Sequence, residues 1–385
     1  MENFSKKYKV TCEEITSSYN ISPNEDVNNL VKQLKILYNP LPICKIFGIK
    51  SLNYLIELSS RYAFGTIGNL NKNDHMLLAY SLWLSLIWIV DGIFDKFQNV
   101  LTEDDINEVI KSFSKLNNPF LLFDKRVLNT EISLSQLNIN KDIDTNYDKN
   151  NIVECLINTI NTIYRTYLEL IRKCNKLQFT NITYYLNEYF ESNLINKNMS
   201  LQEYEEWRLK SGAMMCVIWH IMMFKNNNSV KRDDELFIKV SLIVSYNNDI
   251  LSFDRDIKDG TPNLIDIIKK EKEVSIFEAF KEAVIIINNL YKDISLIIDN
   301  YDEEIKELVL IIIEESHNWA IKEDRYKVGC MMLEKVLNDD HDNFDEMMNM
   351  RDSTPGDPEN MVVKNETLDK NNKDDQPPIS AERYR

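Results

Sequence analysis

Glycine and proline are scarce in this chain, at 8 and 9 of 385 residues, about 2% each against roughly 7% and 5% in average usage. Sheets and βα crossovers need frequent turns with glycine, proline or Asn-Gly at special dihedrals. No proline stands between Pro119 and Pro262, and no glycine between Gly92 and Gly212. That shortage excludes a turn-rich β or α/β architecture and predicts an all-α fold of long helices.

Positive charge is also in short supply, with 45 basic against 61 acidic residues and a net charge of −16. A nucleic-acid coat needs the opposite sign. The six cysteines, Cys12, Cys44, Cys155, Cys174, Cys216 and Cys330, are irregularly spaced with no CxxC, and no histidine pair stands at ligand spacing. Zinc and disulfide frameworks are thereby disfavoured. The longest apolar stretch, Tyr80 to Val90, carries two serines, and Met1 to Lys7 lacks the apolar run of a signal peptide. These features predict no membrane span and a cytoplasmic protein of a reducing compartment.

What is abundant is core-forming material, 44% hydrophobic and 10% aromatic residues, enough to exclude global disorder. No interior linker rich in proline, glycine or serine appears, so residues 1–350 are expected to form a single α-helical domain. The acidic segment 351–385, with Pro355-Gly356-Asp357-Pro358 and Pro377-Pro378, is expected to be a disordered tail. Polar runs at 138–151 and 226–234 predict loops between helices. Thr102 with Asp105, and Ser200 with Glu203, predict helix starts by reciprocal capping.

Two patterns carry chemistry. In the apolar helical run that begins near Leu236, Asn248, Ser252 and Asp256 recur every four residues and form one stripe. An amide oxygen, a hydroxyl and a carboxylate on successive turns make a hard-oxygen set suited to magnesium and unsuited to zinc; the alternative is a polar face meeting solvent. Upstream, Leu84, Trp88, Asp91 and Asp95 share a second helical face. Its carboxylates mark either the mouth of an apolar cavity or the point where the helix emerges into water.

These motifs resemble those of class I terpene synthases of the microbial, single-domain type. Asn248-Asp249-x-x-Ser252-x-x-x-Asp256 is similar to that family's Asn-Ser-acid metal motif, Asp91-Gly92-Ile93-Phe94-Asp95 to its Asp-rich motif, and Arg325-Tyr326 to its terminal Arg-Tyr pair. Order and spacing agree across residues 50–335. The resemblance implies an isoprenoid-synthase helical bundle around an apolar cavity, Mg2+ as cofactor in a cluster of three ions, and an isoprenyl diphosphate as small-molecule partner; a homodimer is compatible with it. It further implies that Asp91, Asp95, Asn248, Ser252 and Asp256 bind metal. By the same resemblance Arg208, Arg255, Arg325 and Tyr326 contact diphosphate, Gly212 breaks a helix beside the substrate, and Phe64, Trp88 and Trp319 line the cavity. Gly92 departs from the pattern, standing where most members carry a second adjacent Asp. Asp256 stands where Glu is common, and Ser211 where the residue before the glycine is often acidic.

The expected activity is magnesium-dependent ionisation of a linear isoprenyl diphosphate, farnesyl diphosphate foremost, followed by cyclisation of the carbocation within a contour set by Phe64, Trp88 and Trp319, with closure of the helix ends and the 256–263 loop excluding water. Deprotonation is assigned to released diphosphate, because no histidine or glutamate is clearly placed as a base. Two other readings stand beside it. A chain-elongating isoprenyl transferase would pair two Asp-rich motifs, where this chain has Asn248 and Ser252. A non-catalytic binding protein of the same fold is suggested by Gly92 alone.

Overall fold

A computed structural model describes residues 25–68, 74–97, 100–116, 149–171, 176–192, 199–225, 227 and 229–350. The expected tail at 351–385 and most of the expected loop at 138–151 lie outside the described residues. Those that are described form helices with no strand among them. In chain order they are α1 (Glu25–Tyr38), α2 (Ile43–Phe47), α3 (Ile49–Ala63), α4 (Asp74–Lys96), α5 (Glu103–Leu116), α6 (Lys149–Ile171), α7 (Lys176–Ser192) and α8 (Leu201–Ser211). There follow α9 (Met214–Lys225), α10 (Glu235–Asp259), α11 (Leu264–Lys272), α12 (Ile276–Ile297), α13 (Glu303–Lys322), α14 (Lys327–Leu337) and α15 (His341–Met350). A π-helical turn, Phe64–Gly68, continues α3, and a 3-10 turn, Asp324–Tyr326, joins α13 to α14.

Helix boundaries follow local chemistry. Ser200 and Glu203 form a full capping box at the start of α8, and Thr102 and Asp105 exchange bonds at the start of α5, the Thr102 amide donating to Asp105 Oδ2 at 2.8 Å. The Asp234 side chain caps α10, whose far end stops at Gly260 in the left-handed region, φ 70°. Because α10 runs to Asp259, the turn expected from residue 256 is confined to 260–263.

Helix α4 is apolar all round, as a central helix must be. Its stretch Met76–Phe94 is long and apolar enough to cross a membrane, but 72% of the most hydrophobic window is buried by the other helices, which makes it the core of the bundle. One hydrophobic core gathers around α3, α4, α6, α7 and α9; a second lies among α10, α11, α12 and α14. Trp319 of α13 packs against both. Helix α14 lies so close to α10 that a Cβ on Gly329 would sit 2.0 Å from the Leu251 carbonyl oxygen, so only glycine permits this backbone contact.

His220 is the polar exception in α9. Its Nδ1 lies 2.7 Å from the Cys216 carbonyl, which can only accept, and its Nε2 lies 2.7 Å from the Tyr167 hydroxyl. Nδ1 therefore carries the proton, Nε2 accepts from Tyr167, and the ring is neutral. Burial lowers its pKa to about 3, whereas the unfolded chain takes up that proton near pH 6.5. Between those values the unfolded state binds more protons, so stability is complete above pH 6.5 and falls as the pH drops towards 3. Between pH 7 and pH 5 this one group is expected to cost on the order of 2 kcal/mol. Urea unfolding of wild type and His220→Gln at both pH values measures it; the variant should lack this increment.

Candidate active site

A cavity of about 580 Å3 opens between α3, α4, α8, α10 and α13. Its position follows from the helices that frame it: α4 brings Trp88 and Asp91, α10 brings Asn248, Arg255 and Asp256, α8 brings Arg208, α13 brings Trp319, and the 3-10 turn brings Arg325 and Tyr326. Residues separated by more than 200 positions in sequence thus line one cavity.

An ion pair organises the polar end. Arg208 Nη2 meets Asp249 Oδ1 at 2.8 Å, with the Asp249 side chain 1% and that of Arg208 14% exposed. The Tyr204 hydroxyl donates to the other Asp249 oxygen at 2.7 Å. Burial raises the Asp249 carboxyl to about 6, against the opposing pull of Arg208 and Tyr204. For Arg208 burial works against the charge, but Asp249, Tyr204 and Asp256 more than offset it, and the guanidinium is held above its ordinary range. Arg208 also donates to Asn248 Oδ1 at 3.2 Å, and Asn248 Nδ2 donates to the Tyr326 hydroxyl at 2.8 Å. The Tyr326 ring lies beneath both Arg255, 5.8 Å from its centroid, and Arg325, 5.2 Å.

Across the cavity Asp91 opens onto the mouth and accepts from the Tyr189 hydroxyl at 3.1 Å. Surrounding protein raises its carboxyl above the usual range, opposed by Tyr189 and by the positive charges of Arg255, Arg325 and Arg208. Three arginines on three elements therefore act on one carboxylate. Asp95 is carried by the same helix, and its side chain lies outside the described residues.

The α10 stripe is only partly turned to the cavity. Asn248 and Asp256 line it, whereas Ser252, 1% exposed, lies beneath and donates to Asp256 Oδ2 at 2.5 Å. Asn263 holds the same oxygen at 2.9 Å and donates to the Asp249 carbonyl at 2.8 Å. No group of three or more His, Cys, Asp or Glu side chains that could hold a metal occurs among the described residues. The donor set is instead amide, hydroxyl and carboxylate oxygen, which fits a hard divalent cation. Arg208 Nε and Arg325 Nε have no hydrogen-bond acceptor among the described residues; such buried donors cost about 1–3 kcal/mol each and suit an anionic ligand.

The helix break falls where it is expected, between α8 and α9, but the left-handed residue is Ala213, φ 52°, and Gly212 is right-handed, φ −72°. Gly212 is closely packed: a Cβ would lie 2.4 Å from Ser245 Oγ and 3.0 Å from the Arg208 carbonyl oxygen, so Ser245 would have to turn away to admit one.

The apolar wall is aromatic. Trp88 and Trp319 stand 5.5 Å apart and Tyr62 packs on both, at 6.0 and 5.2 Å. Phe64 is a correction to the expectation: it begins the π-helical turn and does not line the cavity, while Tyr62 does. Two residues along a helix turn a side chain by about 200°, so only one of the two can face inward. Tyr62 is fixed there by a 2.9 Å hydrogen bond between its hydroxyl and that of Ser316. His317, overlooked in the sequence, also lines the cavity, and burial lowers its pKa. Ile313, Ser316, His317 and Ala320 all line it at i, i+3, i+4 and i+7 of α13, a periodicity that sequence reasoning can find.

The sequence matches the family described as terpene synthase family 2, C-terminal metal binding, over residues 82–293. That span is more than half of the chain, and the chain belongs to this family: it is a terpene synthase, an enzyme with a metal-binding domain. Comparison with curated protein sequences gives no match. Among solved structures the chain is similar to a variant of the SVS_A2 protein from ancestral sequence reconstruction, with TM-score 0.56 and 12% identity, covering 77% of this chain and 84% of that one. It is also similar to linalool/nerolidol synthase from Streptomyces clavuligerus, TM-score 0.54, 11% identity, 78% and 97% covered. A third is germacradien-4-ol synthase from Streptomyces citricolor, TM-score 0.52, 10% identity, 80% and 95% covered. At these identities the likeness establishes the all-α isoprenoid-synthase fold.

Removing one partner of a buried ion pair costs about 3–5 kcal/mol. Asp249→Ala is accordingly expected to lower unfolding free energy by about that amount, and Tyr204→Phe by about 1–3 kcal/mol. Urea titration followed by circular dichroism reads both.

Proposed function

We propose that this enzyme ionises a linear isoprenyl diphosphate, farnesyl diphosphate before longer or shorter chains, and cyclises or rearranges the resulting allylic cation to a terpene, in a magnesium-dependent reaction. The observation that carries this reading is the convergence of Arg208, Arg255 and Arg325 on the polar end of a cavity whose other wall is Tyr62, Trp88 and Trp319. A volume of about 580 Å3 suits one small molecule, such sites spanning about 300–1,000 Å3.

In this reading the diphosphate lies among the three arginines, and the Tyr326 hydroxyl, which accepts from Asn248 Nδ2, donates its own proton to it. Asp91 and Asp95 on one side, and Asn248 and Asp256 on the other, would hold Mg2+, with Ser252 reaching a metal only by turning from its bond to Asp256; three ions are implied by the family resemblance. Magnesium, when bound, supplies positive charge that makes diphosphate a better leaving group. Fixed guanidinium groups stabilise the charge that develops on the departing oxygen without reorganising. The π faces of Trp88 and Trp319 stabilise the carbocation and offer no nucleophile to trap it. Ser252 holds Asp256 in position, and Gly212, in contact with Ser245, keeps the α8–α9 break against the cavity. Closure of the 260–263 turn excludes water. Deprotonation falls to the released diphosphate, with the neutral His317 imidazole as a second acceptor on the same face. Cys44, Cys155, Cys216 and Cys330 form no disulfide among themselves; the protein is read as belonging to a reducing, cytoplasmic setting, and residues 1–350 as one domain.

The decisive experiment is gas chromatography–mass spectrometry after incubation with geranyl, farnesyl and geranylgeranyl diphosphates, with magnesium or with EDTA. A magnesium-dependent terpene from farnesyl diphosphate is expected. Asn248→Ala and Arg208→Ala should each lower kcat/KM by about 100-fold or more, a loss of roughly 3 kcal/mol of transition-state stabilisation. Formation of a longer prenyl diphosphate on adding isopentenyl diphosphate would overturn the cyclase reading, and no turnover would point to a binding scaffold.

A further inference from the structure

Gly92 sits inside α4, where glycine costs about 1 kcal/mol relative to alanine, so its presence needs a reason. A Cβ built there would lie 3.1 and 3.3 Å from two ring carbons of Phe47 and 3.8 Å from Leu55 Cδ1. Those ring contacts are tighter than ordinary van der Waals spacing, and an aspartate, with three further heavy atoms beyond Cβ, would have to displace the ring. The place of the family's second acidic side chain is therefore occupied by an aromatic ring from α2, more than 40 residues upstream.

The ring is held there. Phe47 is 8% exposed and ends α2, and Gly48 after it has φ 90° and ψ 134°, a conformation that a residue with a Cβ adopts only under strain. The chain thus turns sharply between α2 and α3 and leaves Phe47 inward. Phe47, Gly92 and their neighbour Asp91 all line the cavity, as do Ser51, Tyr54 and Leu55 of α3.

We propose that Phe47 is a specificity-determining residue: admitted by the missing side chain at Gly92, its ring forms the cavity wall beside Asp91 and limits the length and shape of the isoprenyl chain that the site takes. This inference rests on the function proposed above. The departure at Gly92 is then a gain of shape at the wall in exchange for a carboxylate, and it differs from the decay of a metal site.

The test is a double-mutant cycle of Phe47→Ala and Gly92→Ala, with Phe47→Leu as the milder variant, read by thermal denaturation and by turnover of C15 and C20 diphosphates with magnesium. Phe47→Ala is expected to raise the C20 to C15 ratio of kcat/KM by about tenfold, the scale of discrimination in hydrophobic pockets, and to alter the product distribution from the C15 substrate. Phe47→Leu should fall between it and wild type. Gly92→Ala should lower Tm in the presence of the ring and much less in the Phe47→Ala background. An unchanged ratio and product distribution in both folded Phe47 variants overturns the inference, and so does a Gly92→Ala penalty that is the same with and without the ring. Failure of the underlying reading is distinct: there the wild type itself turns over no isoprenyl diphosphate.

Discussion

The buried Arg208–Asp249 pair is the constraint on which the polar end of the cavity depends. Bringing two charges out of water is costly, and their attraction compensates only when geometry is good and the remaining donors and acceptors are satisfied. Here Tyr204 completes Asp249, and Asn263 reaches the same residue's carbonyl. The pair therefore fixes α8 against α10 and the start of α11 together. Arg208 in turn orients Asn248, and Asn248 holds the Tyr326 hydroxyl, so a chain of polar contacts runs from one ion pair to the far wall.

Around that chain the backbone is shaped by contacts that leave no room for a side chain. Gly212 lies against Ser245 and Gly329 against the Leu251 carbonyl, both on α10. Helix α10 is thus approached closely from two sides, which sets the orientation of the face that carries Asn248 and Asp256. The strained left-handed Ala213, worth roughly 1–2 kcal/mol in an L-residue, completes the break between α8 and α9 that the close approach at Gly212 begins.

Much of this was legible in the sequence because it depends on local spacing. Scarce glycine and proline gave away the helices, and the Ser200-Glu203 box marked the start of α8. Four-residue spacing brought Asn248 and Asp256 to one cavity wall, and Trp88, Asp91, Trp319 and the Arg325-Tyr326 pair line the same cavity. What could not be read was whatever depends on contact between distant segments. Asp249 sits inside the motif, but its role comes from Arg208 and Tyr204, 41 and 45 residues away in sequence. Ser252 matches the spacing and yet lies beneath Asp256, since helical periodicity gives a direction and not a depth. Phe64 and Tyr62 are aromatics of similar character two residues apart, and only the tertiary contact of Tyr62 with Ser316 decides between them. The ring behind Gly92 comes from a helix for which periodicity gives no partner.

The convergence of Arg208, Arg255 and Arg325 has a kinetic side. These guanidinium groups stand in a molecule of net charge −16, so the field that a ligand meets changes sign along its approach: repulsive to an anion within about a Debye length of the outer surface, attractive at the mouth. A free polyanion is slowed by the outer field, whereas one already associated with divalent cations arrives nearly neutral and feels only the inner attraction. Ionic strength would then act on the two approaches in opposite directions, quickening the first by screening the repulsion and weakening the hold of the second. If the ligand is the polyanion proposed above, the acidic surface, which takes no part in the chemistry, would favour its approach in the cation-associated form.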